Sequence, residues 1–214
     1  MEAAFGVVLG AYTSGRSVRG VGDPGLADWR LLLNRLHATF RAGSFVEAAA
    51  FVQRVADSVT ADVDLRPSGV VHISVPDDAV ATAETISALA AEDGVPSEPL
   101  AAFIAEVAID AMDIEAVRPF WKAVLGYVDD DGPAIMDPAG IGPPFWFQQM
   151  DSPRPQRNRI HIDVTVPHDV AESRIEAALA AGGTMVNDRF ARSFWVLADP
   201  EGNEACICTW QDRG

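Results

Sequence analysis

The pattern of apolar and polar positions divides the first half of the chain into segments of different periodicity. Residues 1–25 are rich in glycine and show no sustained period, which favours a loosely ordered arm. From Leu26 to Leu36 apolar residues recur at helical spacing, so this segment is predicted to be a helix. Ser44 precedes a second apolar stripe of helical period, and we expect it to cap that helix.

Alternation then replaces the helical period. Val70–Val75 predicts a short strand, and Ala79–Ala91 predicts a third helix that ends near Gly94. Residues 26–94 therefore read as a small α+β domain. The two prolines within Val95–Ala101 are typical of a linker, so a second domain is expected over 102–212.

The second domain contains an internal repeat of one order of elements: a strand, a helix and three further strands. In the first copy the helix is expected to be capped by Asp113 and ended by Gly126, with Pro119 inside it. In the second copy the helix is ended by Gly182. The predicted strands are Ile104–Met112, Tyr127–Asp131, Ala134–Asp137, Phe145–Met150, Arg159–Val166, Thr184–Val186, Phe194–Ala198 and Glu204–Trp210.

Four polar residues hold matching places in the two copies. Glu106 lies 20 residues before Gly126, and His161 lies 21 residues before Gly182. Gln148 follows Gly126, and Glu204 follows Gly182, by 22 residues in each case. A pseudo-two-fold arrangement of the copies would bring all four side chains into one cavity.

Strand alternation adds further candidates to the cavity lining. Asp110 shares a strand face with Glu106, Asp163 shares one with His161, and Cys206 shares one with Glu204. Trp146 shares a face with Gln148, but a one-residue shift in register would exchange Gln148 for Gln149.

Charge and cysteine content narrow the function classes. The formal net charge is −15, which repels phosphate groups and anionic lipids, and the densest basic group is Arg154, Arg157 and Arg159. We therefore expect neither a nucleic-acid partner nor a membrane partner. Cys206 and Cys208 point the same way along one strand, which is poor geometry for a disulfide, so buried thiols in a reducing cytoplasm are predicted.

One imidazole, two carboxylates and an amide oxygen suit a divalent ion of intermediate hardness, namely Fe, Mn, Ni or Zn. Such an ion would bind adjacent oxygens of a substrate and act as a Lewis acid. The alternative is that Glu106, Gln148, His161 and Glu204 pair with one another, with arginine or with water inside a polar pocket.

The segments AIDAMDIEAVRPFWKAVLGY, NRIHIDV and LADPEGNEACI resemble the vicinal oxygen chelate superfamily, of the glyoxalase-like and bleomycin-resistance type. The resemblance covers most of residues 104–210. It implies two βαβββ modules that form a curved mixed sheet around a cavity. It also implies metal ligands at Glu106, Gln148, His161 and Glu204, with Glu204 as the catalytic carboxylate. Bleomycin-resistance members of the superfamily bind their drug without a metal.

The first half resembles pterin-4a-carbinolamine dehydratase through SFVEAAAFVQRVADSV and DVDLRPSGVVHISV. That family depends on an adjacent histidine pair, and Val59 and Thr60 stand in the equivalent place here. The four histidines of the chain are at 37, 72, 161 and 168. The resemblance therefore implies a degenerate domain without dehydratase activity, because no imidazole is placed to move the proton.

Two main functions of different classes follow from this sequence, and pterin carbinolamine dehydratase is a remote third alternative. The first is a metal-assisted lyase, isomerase or dioxygenase that acts on a small molecule. The second is a metal-free protein that binds or sequesters a small molecule in the same cavity. Members of the superfamily often pair modules across a dimer, so a homodimer is among the expected assemblies.

Overall fold

The computed structural model of the chain describes residues 26–130, 132, 134–153 and 160–212. The chain divides into two compact units, and the boundary along the sequence is between Ile104 and Ala105. The arm predicted over 1–25 and the basic group at 154–159 lie outside the described residues. Within the described part, no helix has the length and apolar character needed to cross a membrane.

The first unit is an antiparallel four-stranded sheet with two helices. The sheet has the strand order β1-β2-β4-β3. Its elements are β1 (Trp29–Leu32), β2 (Arg35–Arg41), α1 (Phe45–Ser58), β3 (Asp62–Leu65), β4 (Val70–Pro76) and α2 (Val80–Glu92). This is the α+β class predicted for residues 26–94.

The helix predicted over Leu26–Leu36 is wrong, because the segment folds into the β1–β2 hairpin. Leu33 and Asn34 both have left-handed φ angles, 47° and 61°, which is the conformation of a two-residue hairpin turn. Trp29 and Leu36 are buried in the core with Ala38. Long-range packing thus selects the strand for a leucine-rich pattern whose local spacing also suits a helix.

The second and third helices form where the pattern predicts them. The Glu47 backbone N–H donates to the Ser44 hydroxyl at 3.2 Å, which confirms the predicted cap of α1. Phe51 on α1 and Ile86 on α2 pack on the sheet in one core. The predicted linker starts within this unit, since Val95 joins the core and Ser97 bridges to Phe40.

The second unit consists of two modules with the same strand order. In each module the first and last strands are parallel neighbours, followed by the third strand and then the second. The first module is β5 (Val107–Ala111), α3 (Ile114–Leu125), β6 (Val128–Asp129), β7 (Ala134–Met136) and β8 (Phe145–Gln149). The second module is β9 (Ile162–Thr165), α4 (Ala171–Ala180), β10 (Thr184–Asn187), β11 (Phe194–Ala198) and β12 (Glu204–Cys208). The repeat predicted from the sequence is therefore present in three dimensions.

One apolar core serves both modules of the second unit. Phe120 and Trp121 on α3 are buried with Ile175 on α4 and with Leu197 and Ile207 from the second sheet. The helix ends match the prediction: the Ala116 N–H donates to the Asp113 carboxylate at 3.1 Å, and Gly126 takes a left-handed φ of 75° after α3. Glu201 in the second module accepts hydrogen bonds from the Met112 and Asp113 N–H groups in the first.

Candidate metal centre

Strand register decides which side chains of the first module lie on its polar face. On the parallel β5–β8 pair, Ile109 lies opposite Phe147, and both pack towards the core. Asp110 lies opposite Gln148 and therefore occupies the other face. Trp146 shares that face and is half-buried. The register thus puts Gln148, and not Gln149, beside Asp110.

Glu106 lies immediately before β5. The Val107 N–H donates to the Pro144 carbonyl at 2.9 Å, which fixes the chain directly after Glu106. The residue is exposed overall, yet desolvation of its carboxylate raises its pKa above the ordinary value. Glu106 is thus placed at the start of the polar face of the first module.

The second module brings three chemically different ligand atoms together. His161 Nδ1 is 2.9 Å from Asp163 Oδ1 and 3.7 Å from Cys206 Sγ. Asp163 lies opposite Cys206 on the parallel β9–β12 pair, so both side chains project from the same face as His161. The three ligand atoms all lie within 4.8 Å of one another. We name these three residues the β9/β12 cluster.

The β9/β12 cluster combines a buried thiol with two accessible partners. Cys206 is 5% exposed, whereas the side chains of His161 and Asp163 are 50% and 58% exposed. Burial, then hydrogen bonding to Asp163, raises the pKa of the Cys206 thiol to about 12. The thiol is therefore protonated at neutral pH unless a cation displaces its proton.

Glu204 lies at the edge of this face. It is half-buried at the start of β12 and lies opposite Ala198 on β11. The next residue, Ala205, lies opposite Ile162, so Glu204 at the start of β12 and His161 just before β9 lie at the same edge of the sheet. The carboxylate of Glu204 contributes to the raised pKa of the Cys206 thiol, which places its charge near the β9/β12 cluster.

Of the four ligands predicted from the sequence, His161 is the one that joins a group of potential ligand side chains. Among the described residues, neither Glu106 nor Glu204 belongs to a set of three His, Cys, Asp or Glu side chains with ligand atoms within 4.8 Å. The sequence had placed Asp163 and Cys206 in the cavity lining and not among the ligands. Alternation along one strand puts Asp163 on the same face as His161, but the parallel pairing of β9 with β12 is what adds Cys206 to that face.

The donor set of the β9/β12 cluster fits a transition metal. Imidazole nitrogen and thiolate sulfur are the ligands of zinc and iron, and a carboxylate oxygen completes a mixed set. The half-exposed His161 and Asp163 leave the face open to solvent and to further ligands. The ligand set predicted from the sequence has one imidazole and three oxygen ligands. Because the β9/β12 cluster contains the Cys206 sulfur, its metal preference shifts away from manganese and towards zinc, nickel or iron.

Both cysteines are buried and neither forms a disulfide, as the alternation on their strand predicts. Cys208 lies opposite Thr165 on β9, two residues beyond Cys206 on the same face. It does not belong to the β9/β12 cluster as the described residues define it.

Several solved structures resemble the chain, each over about half of its length. A glyoxalase/bleomycin resistance protein/dioxygenase family enzyme from Burkholderia phytofirmans PsJN is 19% identical, with a TM-score of 0.42 over 50% of this chain and 98% of that one. A glyoxalase-related enzyme from Fulvimarina pelagi is 17% identical, with a TM-score of 0.40 over 50% and 87%. Fosfomycin resistance protein FosX from Mesorhizobium loti is 11% identical, with a TM-score of 0.40 over 50% and 90%.

No protein with a curated description matches the chain. The glyoxalase-like domain family matches residues 106–208, which span both modules from Glu106 to the last residue of β12. Residues 106–208 therefore form a glyoxalase-like domain of the vicinal oxygen chelate superfamily.

Proposed function

We propose that the glyoxalase-like domain is a metal-assisted enzyme acting on a small molecule, with one divalent ion held by the β9/β12 cluster. The observation that carries the proposal is the approach of His161 Nδ1, Asp163 Oδ1 and Cys206 Sγ to within 4.8 Å of one another. When bound, the ion supplies Lewis acidity towards adjacent oxygens of a substrate, as lyase, isomerase or dioxygenase chemistry requires.

Side chains of the domain would transfer protons and position the substrate. Glu204 lies at the edge of the same sheet face, where a carboxylate can accept a proton from a substrate carbon or oxygen. Trp146, half-buried beside Gln148, offers an aromatic surface for an apolar part of the substrate. Desolvation raises the pKa of the Glu106 carboxyl, and its place at the start of the polar face of the first module suits a group that takes part in proton transfer.

A metal-content measurement tests the proposal. Protein purified without added metal is analysed for transition metals, alongside His161→Ala and a matched control, His168→Ala. We expect the wild type and His168→Ala to hold equal amounts of metal, and His161→Ala to hold about one equivalent less per chain, as for the loss of one site. An unchanged metal content in His161→Ala would overturn the ligand assignment.

The function of the loaded site can be probed with 4-nitrocatechol, a coloured compound that presents two adjacent oxygens. We expect its absorption spectrum to shift with the metal-loaded wild type and not with metal-free protein. Glu204→Gln should keep the metal and the spectral shift, because we assign Glu204 to proton transfer. Loss of the metal in Glu204→Gln would show that Glu204 is a ligand.

A second function, metal-free binding of a small molecule, is favoured by one observation. The Cys206 thiol is hydrogen-bonded to Asp163 and its pKa is about 12, so the β9/β12 cluster is satisfied without a cation. The hydrophobic dye ANS distinguishes the two functions. If metal-free protein binds the dye and Trp146→Leu does not, while no metal is retained, the binding protein is the better account.

The compartment follows from the same residues. Metal binding through Cys206 requires a reduced thiol, and neither cysteine forms a disulfide. We therefore propose a reducing, cytoplasmic location for the working protein.

A further inference from the structure

The sheet of the first unit has one polar face, and part of that face is buried. Leu36, Ala38 and Phe40 on β2 pack into the core with the helices. The alternating residues His37 and Thr39 therefore lie on the other face, yet they are only 7% and 5% exposed. Polar side chains on the open face of such a sheet are normally solvated. Because they are buried, these two side chains need hydrogen-bond partners within the protein.

Two histidines that are 35 residues apart in the sequence meet on this face. His37 Nδ1 lies 3.1 Å from His72 Nε2, and the two rings are tilted by 30° with centroids 5.3 Å apart. The second nitrogen of His72, Nδ1, lies 3.2 Å from the Thr39 hydroxyl. Within the described part of the chain, His37 Nε2 is the buried side-chain polar atom that lacks a hydrogen-bond partner.

The separation of the facing nitrogens suits a shared ion. Two nitrogen ligands at about 2.0–2.1 Å from a tetrahedral ion lie roughly 3.3 Å apart. If the His72 Nδ1–H donates to Thr39 and the His37 proton is on Nε2, the two facing nitrogens both present lone pairs and can bind a cation. Burial lowers the pKa of both imidazoles, that of His37 to about 4, so both rings are neutral at pH 7 and keep their lone pairs.

A carboxylate is available beside the pair. Asp64 on β3 lies opposite His72 on β4, and its charge acts on the His72 ring. The Asp64 side chain is 56% exposed and lies 3.6 Å from Arg66, which is a weak surface ion pair. Within the described residues, Asp64, His37 and His72 do not form a group with all ligand atoms within 4.8 Å of one another. The Asp64 carboxylate must therefore leave Arg66 and turn towards the histidines to complete the site, and the surface ion pair opposes this turn only weakly.

We propose that His37 and His72 bind a divalent transition-metal ion, with Asp64 as a carboxylate ligand and Thr39 as the residue that orients the His72 ring. This site is independent of the proposed function of the second unit. The rival arrangement is a hydrogen-bond chain without an ion, in which Thr39 donates to His72 and His72 donates to His37.

Cobalt(II) binding to the full-length chain tests this proposal. The β9/β12 cluster is first removed by His161→Ala and Cys206→Ser, and the metal-stripped protein is titrated with Co²⁺. We expect one equivalent to bind with visible d–d absorption and without a thiolate charge-transfer band, because the ligands are nitrogen and oxygen. No uptake by this variant, or a charge-transfer band in it, would overturn the site.

Four further substitutions in that background separate ligand binding from folding. His72→Gln, at a half-buried position, should abolish Co²⁺ binding, whereas His168→Gln should leave it unchanged. Thr39→Val keeps the side-chain shape and removes the hydroxyl, so affinity should fall by roughly tenfold or more, while Thr39→Ser should retain it. Equal affinity in His72→Gln and its parent would contradict the proposal, and circular dichroism establishes that each variant is folded.

In the wild-type chain the site has its own signature. A diamagnetic ion such as Zn²⁺ should shift the NMR resonances of His37 Nδ1 and His72 Nε2. The hydrogen-bond chain predicts instead that these resonances do not respond to Zn²⁺, even when His161 responds.

Discussion

At the scale of single residues, Asp199 connects the segment DPEGNE (Asp199–Glu204) to the rest of the domain through hydrogen bonds. The Asp199 carboxylate is 2% exposed and accepts hydrogen bonds from the Trp121 indole at 3.0 Å and from the Glu201 and Asn203 N–H groups at 2.9 Å. It thereby fixes the turn that leads into Glu204 and anchors that turn to α3. A buried carboxylate is retained here because its acceptor positions are filled.

Asp199→Ala should lower the free energy of unfolding by about 2–4 kcal/mol, because it leaves several buried donors unpaired. Asp199→Asn keeps one acceptor oxygen and should lower the free energy of unfolding by less than Asp199→Ala does. Urea unfolding of the two variants and the wild type measures both differences. An alanine variant as stable as the wild type would contradict this role.

Asp137 provides a pH dependence whose sign follows from its contacts. Its carboxylate accepts hydrogen bonds from the N–H groups of Ala139, Ile141 and Gly142 at 2.8–3.0 Å, and these bonds lower its pKa. The stabilisation is therefore complete above the ordinary aspartate pKa and is lost as the pH falls through the lowered value. Asp137→Asn should flatten the decline in unfolding free energy between roughly pH 5 and pH 2, measured by urea unfolding. Parallel curves for the two proteins would refute this assignment.

At the scale of elements, the β1–β2 hairpin is where local pattern and structure disagree. Leu33 has a left-handed φ of 47°, which costs a β-carbon-bearing residue about 1–2 kcal/mol. Leu33→Gly should therefore leave the stability unchanged or raise it. In the helix that the leucine spacing predicts, the same change would cost about 1 kcal/mol. Thermal unfolding of this variant distinguishes the hairpin from the helix.

The end of α3 is a second element-scale test, because it controls the contact between α3 and α4. Gly126 has a φ of 75°, and a β-carbon there would overlap the guanidinium of Arg174, which donates to the Val124 carbonyl at 3.2 Å. Gly126→Ala should cost more than the roughly 1 kcal/mol of left-handed strain alone. Gly140→Ala is the matched control, since its φ is 68° and the space around it is open. Equal losses in chemical denaturation would show that the Arg174 contact is unimportant.

For the molecule as a whole, the sequence predicts best those features that depend on residues close together in the chain. Ser44, Asp113 and Gly126 mark helix ends through contacts within a few residues, and the repeat spacing predicted two modules of equal strand order. The ligand set could not be read in the same way. His161 and Asp163 are neighbours on one strand, but their approach to Cys206 depends on the parallel pairing of β9 with β12.

The contact between His37 and His72 could not be predicted from the sequence for the same reason. These residues are separated by a helix and a strand, and only the antiparallel pairing of β2 with β4 brings their rings together. A search for histidines adjacent in the sequence could not find them. Alternation alone predicts which face of a strand a residue occupies, but not which strand lies beside it.

We propose that Cys206, with His161 and Asp163, holds a metal ion in the glyoxalase-like domain. The most direct measurement is the near-ultraviolet thiolate-to-cobalt charge-transfer band of the Co²⁺-loaded full-length chain, compared between Cys206→Ser and Cys208→Ser. Both cysteines are buried on the same strand, so the pair is matched in position and chemistry. We predict a band in the wild type and in Cys208→Ser, and its loss in Cys206→Ser. A wild-type protein without the band, or a Cys206→Ser variant that keeps it, would contradict the claim.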